Sequence, residues 1–188
     1  MKFNYNVILL SNDLQFKQQF ATSIMESTRM NNNISIYDIR RKNNSSKIST
    51  EFNSQALFYE SIENSLLLNN VIIPDDIFSF NLEYILDYQY VLPKTKFFIV
   101  AVKERYSEYE KSFKKNLAYK RKYRIPKSLY SQGPTDKATF NSRMSGLIYE
   151  EKRLPKLVIS MKDDLYTNII KFTEFAVKHN IDIIEKEN

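Results

Sequence analysis

Short apolar runs and longer periodic stretches alternate along this chain. The run Tyr5-Asn6-Val7-Ile8-Leu9-Leu10 reads as a strand covered on both faces, because a nearly continuous apolar run suits a sheet enclosed between two layers. Leu14 to Met30 carries Leu14, Phe16, Phe20, Ile24 and Met25 near helical spacing, with Asp13 placed to start the helix. Ile34-Ser35-Ile36-Tyr37 alternates as a strand does, and the polar stretch Arg40 to Thr50 predicts a mobile loop. Phe52 to Leu68 predicts a helix, and Val71-Ile72-Ile73 a strand ended by Pro74. Phe78 to Tyr90 is again helical, and Phe97 to Val102 is the clearest strand. A long charged helix over Arg105 to Lys122, a strand over Leu157 to Ser160 and a helix over Asp164 to His179 complete the series.

Five strands separated by helices predict an α/β domain of three layers. Its sheet is five-stranded and mainly parallel, with helices on both faces and right-handed crossovers. Tyr123 to Glu151 carries no strand signal and reads as an insertion between the fourth and fifth strands. The expected organisation is one domain over residues 1–188, in which 103–151 form a basic helix and a lid-like insertion.

Composition narrows the chemistry. Gly133 and Gly146 are the only two glycines, where average usage of about 7% gives roughly thirteen. That shortage counts against glycine-rich phosphate loops. The absence of Cys excludes disulfides, Cys-based zinc sites and cysteine nucleophiles, and the single His179 excludes multi-histidine metal centres. With the single His179 read as structural, Ser160 has no available histidine base, so a nucleophilic triad is not expected. No apolar run approaches the roughly 18–20 residues of a membrane span, and Met1 to Leu10 does not read as a secretory signal. Both points favour a cytoplasmic protein without membrane contact. The many Asn, Lys and Tyr residues suggest a coding bias of the kind found in low-GC bacteria and their phages.

In an open α/β sheet, ligands gather beyond the carboxyl ends of the strands. The first such place is Ser11-Asn12-Asp13-Leu14-Gln15-Phe16-Lys17-Gln18. Set against GxxxxGK[ST], only Lys17 matches. Ser11 and Phe16 replace the glycines, and Gln18 replaces the hydroxyl that holds magnesium. Taken alone, Lys17 reads as a surface lysine in the first turn of a helix. The chain nevertheless resembles, over about residues 3–180, the P-loop kinases that phosphorylate nucleotides or polynucleotide 5′ ends. The likeness lies in order and spacing. Val71-Ile72-Ile73-Pro74-Asp75-Asp76 resembles the strand bearing a magnesium-linked or catalytic Asp, with Asp75 and Asp76 displaced beyond Pro74. Phe97 to Val102 followed by Lys103-Glu104-Arg105 looks like the fourth strand leading into a lid helix. Lys120-Arg121-Lys122-Tyr123-Arg124-Ile125-Pro126 looks like the lid with its Ile-Pro turn. Were such an enzyme active, Lys17, Asp75 and Asp76 would carry the chemistry with ATP and magnesium. The reading of Asp75 and Asp76 from the residues alone is as caps of the following helix.

Charge is concentrated. Residues 1–100 hold nine Lys/Arg against ten Asp/Glu, whereas residues 103–127 hold ten Lys/Arg against three Glu, net +7. The basic candidates are Lys111, Lys114, Lys115, Lys120, Arg121, Lys122, Arg124 and Lys127, interleaved with Phe113, Tyr119 and Tyr123. Three uses compete with a plain solvated face. Lys120, Arg121 and Arg124 would clamp phosphates in a kinase-like lid. The same charges would hold a nucleic-acid backbone, with Tyr119, Tyr123 or Tyr130 stacking on bases. Or they would attract an acidic protein. Tyr106 and Tyr109 are further candidate anchors, and His179 reads as structural.

Loss of both loop glycines together with the magnesium ligand predicts that no transfer occurs and that no cofactor is held. The expected function is that of a non-catalytic, kinase-fold binding or regulatory protein. It is expected to be phage-encoded and aimed at a host protein or nucleic acid, such as transcription or replication machinery, in the host cytoplasm. The alternatives are a divergent phosphotransferase and a plain nucleic-acid-binding module.

Overall fold

The computed structural model describes residues 3–45, 51–78, 80–122, 133–134 and 136–183. The chain folds as β1 Asn4–Leu10, α1 Leu14–Ser27, β2 Asn32–Ser35, α2 Ile36–Ser45, α3 Glu51–Ser65, β3 Asn70–Ile73 and α4 Leu82–Val91. It continues through β4 Thr95–Lys103, α5 Tyr106–Lys122, α6 Lys137–Ser145, a π-helical turn Gly146–Glu150, β5 Lys156–Ser160 and α7 Leu165–Lys178. The five strands form one sheet in the order β2-β3-β1-β4-β5. All four pairings are parallel, so the expected sheet is present and carries no antiparallel member.

β1 lies at the centre because its run is mostly apolar, and the one buried polar side chain, Asn6, accepts from Asn70 of the neighbouring strand. Residues 5 to 10 are buried on both faces, and Val7 faces Val71 on one side and Phe98 on the other. With the right-handed crossovers usual between parallel strands, the helices fall in two layers. In one, α1 meets α7 through an edge-on Phe20–Phe172 pair. In the other, α3 meets α4 through Tyr59 and Tyr84, with ring centroids 4.7 Å apart. Three helices begin on an aspartate whose carboxylate accepts a free first-turn N–H. These are Asp13 from Phe16, Asp136 from Thr139 and Asp164 from Thr167.

Two expectations are corrected. β2 stops at Ser35 and a helix begins at once, running through Ser45 where a loop was expected. Its polar sequence has no apolar period to betray it. Tyr37 and Arg40, three residues apart, are instead buried on one face and held from outside. α4 begins at Leu82, with Asn81 at its cap position, so Asp75 and Asp76 do not cap it. The insertion carries no strand among its described residues but does contain α6 and the π-helical turn. Gly133 packs so tightly on α5 that an added Cβ would lie 1.8 Å from the Tyr109 hydroxyl oxygen.

Candidate functional site

The carboxyl ends of β1, β3 and β4 meet where a ligand is expected, and the chain itself fills that place. Lys17 is fully buried rather than a surface lysine. It sits one turn into α1, and its side chain crosses to the end of β3. There Nζ donates to the carbonyls of Pro74 (2.9 Å) and Asp75 (2.6 Å) and to the Tyr37 hydroxyl (3.2 Å). Burial lowers its pKa to about 8, against the opposing pull of Asp75, Asp76 and Glu104. Tyr37 donates its own hydroxyl to Asp75, and burial raises its pKa well above the usual phenol value. Arg40, only 2% exposed, reaches the Asp75 carboxylate at 3.1 Å. Asp75 is therefore the anion of an internal cluster. Half-buried Asp76 closes a local turn by accepting the Phe78 N–H.

The first loop is closed in a second way. A phosphate loop offers its N–H groups to an outside anion. Here the Glu104 carboxylate, 4% exposed, already occupies one such N–H and two side-chain donors of the loop. It accepts from the Ser11 hydroxyl (2.8 Å), the Asn12 N–H (2.7 Å) and the Asn12 side-chain amide (2.9 Å). Burial raises its pKa, opposed by those hydrogen bonds and by Lys17. Asn12 in turn accepts the Ile77 N–H and so fixes the turn after β3. Between Asn12, Asp75, Asp76, Tyr109, Phe113 and Asn116 there remains a cavity of about 20 Å³. That holds a water, for which roughly 10–15 Å³ is needed, and no nucleotide. A wider groove of about 210 Å³ lies outside, between the start of α1 and the flank of α5 that includes Ser112 and Lys115.

α5 is strapped across this closed loop. Asn116 donates to the Asn12 carbonyl at 3.2 Å, and the Tyr119 hydroxyl to the Tyr37 carbonyl at 3.3 Å. Tyr119 stands edge-on to Tyr37 with centroids 5.6 Å apart, so it packs inward. Tyr109 is buried among Phe78, Phe113 and Phe140, and Tyr106 packs on Phe140; neither is a free anchor. Lys111, Lys114, Lys115, Arg121 and Lys122 are exposed. Lys120 belongs to α5, but its side chain lies outside the described residues, as do Tyr123, Arg124, Lys127 and Tyr130. His179 caps the end of α7 against Phe175 and Phe98, and its pKa is lowered by burial. Among the described residues, no group of three or more His, Cys, Asp or Glu could hold a metal, and no helix is long and apolar enough to cross a membrane.

Sequence reasoning singled out Lys17 and Asp75, and the structure brings them together as partners. It missed Tyr37, Arg40 and Glu104. The only trace of Glu104 was an acid directly after the most apolar strand.

No family model matches the chain, and no curated protein matches it. Solved structures do. A candidate kinase from Chloroflexus aurantiacus aligns at TM-score 0.57, with 10% identity, over 93% of this chain and 99% of its own. A sugar kinase from Janibacter sp. HTCC2649 aligns at TM-score 0.49, with 11% identity, over 94% and 95%. The likeness to the first of these shows a kinase-like fold, an all-parallel five-stranded α/β sheet. At such identity the likeness is one of fold.

Proposed function

We propose that this chain is a non-catalytic protein of kinase-like fold that acts by binding a macromolecule. The observation that carries the reading is the double closure of the first loop. The Ser11 hydroxyl, the Asn12 N–H and the Asn12 side-chain amide are spent on Glu104, and the loop's lysine is spent on Pro74, Asp75 and Tyr37. A phosphate entering there would displace a buried carboxylate and draw a buried ammonium out of its bonds. Each change exposes a partner left unsatisfied, at about 1–3 kcal/mol or more. Neither ATP nor magnesium enters this reading. The phosphotransferase alternative rests on fold alone. The narrower expectation, a phage regulator of host transcription or replication, rests on composition.

Calorimetry with ATP and magnesium tests the proposal. The expected result is no saturable heat. Saturable binding within the micromolar-to-millimolar range usual for substrates, competed by ADP, overturns it.

A further inference from the structure

The exposed face of α5 has a composition that selects among partners. Lys111, Lys114, Lys115, Ala118 and Arg121 are all exposed. Lys111, Lys114, Ala118 and Arg121 follow at steps of three and four residues and Lys115 lies beside them, so all five fall within an arc of about 120° on one side of the helix. The opposite side carries buried Tyr109 and Ser112 and half-buried Phe113, Asn116, Leu117 and Tyr119. From Lys111 to Arg121 the stripe runs about 15 Å.

The stripe is not explained by local stability. Arg121 complements the carboxyl-terminal dipole of the helix, but Lys111, Lys114 and Lys115 lie a turn or more before that end. The nearest acids are engaged elsewhere: Glu108 accepts the Arg105 N–H, and Glu110 bonds the Tyr106 hydroxyl. Among the described residues, none of Lys111, Lys114, Lys115 and Arg121 forms an ion pair. Lys111 and Lys115, four residues apart, repel each other at a cost of about 0.2–0.5 kcal/mol.

A protein interface needs anchors, usually buried aromatic residues or Arg, and it is depleted in Lys. Among the described residues this face has four lysines, Lys111, Lys114, Lys115 and Lys122, one arginine and no aromatic residue. Single-stranded nucleic acid needs rings on which bases can stack. Tyr119, the ring best placed for that, is turned in against Tyr37. Among the described residues of α5, what this face offers is charge alone, suited to a dense array of phosphates. B-DNA carries one phosphate per about 1.7 Å of its axis. Its major groove, about 12 Å wide, accepts a helix. Lys114 and Lys115, about 100° apart around α5, then face opposite strands.

We propose that α5 binds the backbone of duplex DNA, without sequence preference, through Lys111, Lys114, Lys115 and Arg121. This surface is independent of the closed first loop, so the ATP titration and the following test fail or succeed separately.

The test is fluorescence anisotropy of the full chain with a labelled two-turn DNA duplex across a range of salt. Four phosphate contacts predict a log–log salt slope of about −3 to −4 and equal affinity for unrelated sequences. The double variant Lys114→Gln/Lys115→Gln, with an unchanged unfolding midpoint, is expected to reduce the slope by about 2. No duplex binding at the lowest salt overturns the proposal, as does a slope that the double variant leaves unchanged. Tighter binding to oligo-dT, duplex RNA or polyglutamate also overturns it, in favour of a single strand, an RNA or an acidic protein.

Discussion

Lys17 and Lys115 carry the same ammonium group and face opposite surroundings. Lys17 is fully buried, bonded to two carbonyls and a phenol. Lys115 is exposed and makes no ion pair among the described residues. The first loop, where the fold leads one to expect an outside anion, has its charges turned inward. The lid-like helix that covers it carries its charges outward. On the proposed reading, binding belongs to the surface of α5, while the loop beneath spends its charges on internal partners.

That contrast is open to breakage. The largest effect is expected at Asp75. Asp75→Asn leaves Arg40 and Lys17 without their carboxylate and is expected to cost about 3–5 kcal/mol in urea unfolding. A carboxylate kept for magnesium would tolerate the change with little loss.

Lys17 also predicts a pH dependence. Its folded pKa, about 8, lies below the ordinary 10.5. Between those values the unfolded chain holds the extra proton, so this group makes stability rise with pH across that window. The slope from one such group is at most about 1.4 kcal/mol per pH unit. Tyr37 acts in the opposite sense above its ordinary pKa of 10.0, where the unfolded chain loses the phenol proton first. Unfolding measured from pH 8 to 10 is expected to show the rise in the wild type. Lys17→Met is expected to remove it.

Gly133→Ala probes how firmly the insertion is seated. The new Cβ would meet a Tyr109 ring hemmed in by Phe78, Phe113 and Phe140. Overpacking of this kind costs about 1–3 kcal/mol. Adding Tyr109→Phe is expected to return part of that loss in the same unfolding assay. The smallest effect is expected on α5 itself, where Lys115→Gln shifts stability by under about 0.5 kcal/mol while weakening the anion contact.

Much of the fold was legible. β1, β4, α1, α5 and α7 follow from apolar period and from aspartate caps, both of which are local. α2 was not legible, because Ile36–Ser45 is held by Arg40 reaching a carboxylate 35 residues away, and no local pattern encodes that. At the site, Lys17 and Asp75 stood out by position. Their partnership did not, since Lys17 reads equally well as a surface residue. Tyr119 was one of three rings that could stack on bases if the segment met nucleic acid. Its contact with Tyr37, across 82 residues of chain, turns it away.

The sequence by itself determined the alternation of strands and helices, the absence of glycine from the first loop and the gathering of positive charge between residues 103 and 127. Each is a property of neighbours along the chain. Only the tertiary structure decided which charges meet water. Lys17 is held by Asp75, 58 residues on, and the Ser11 hydroxyl is satisfied by Glu104, 93 residues away. A buried charge is stable only beside its partners, and those partners are brought together by the sheet rather than by the segment that carries the charge.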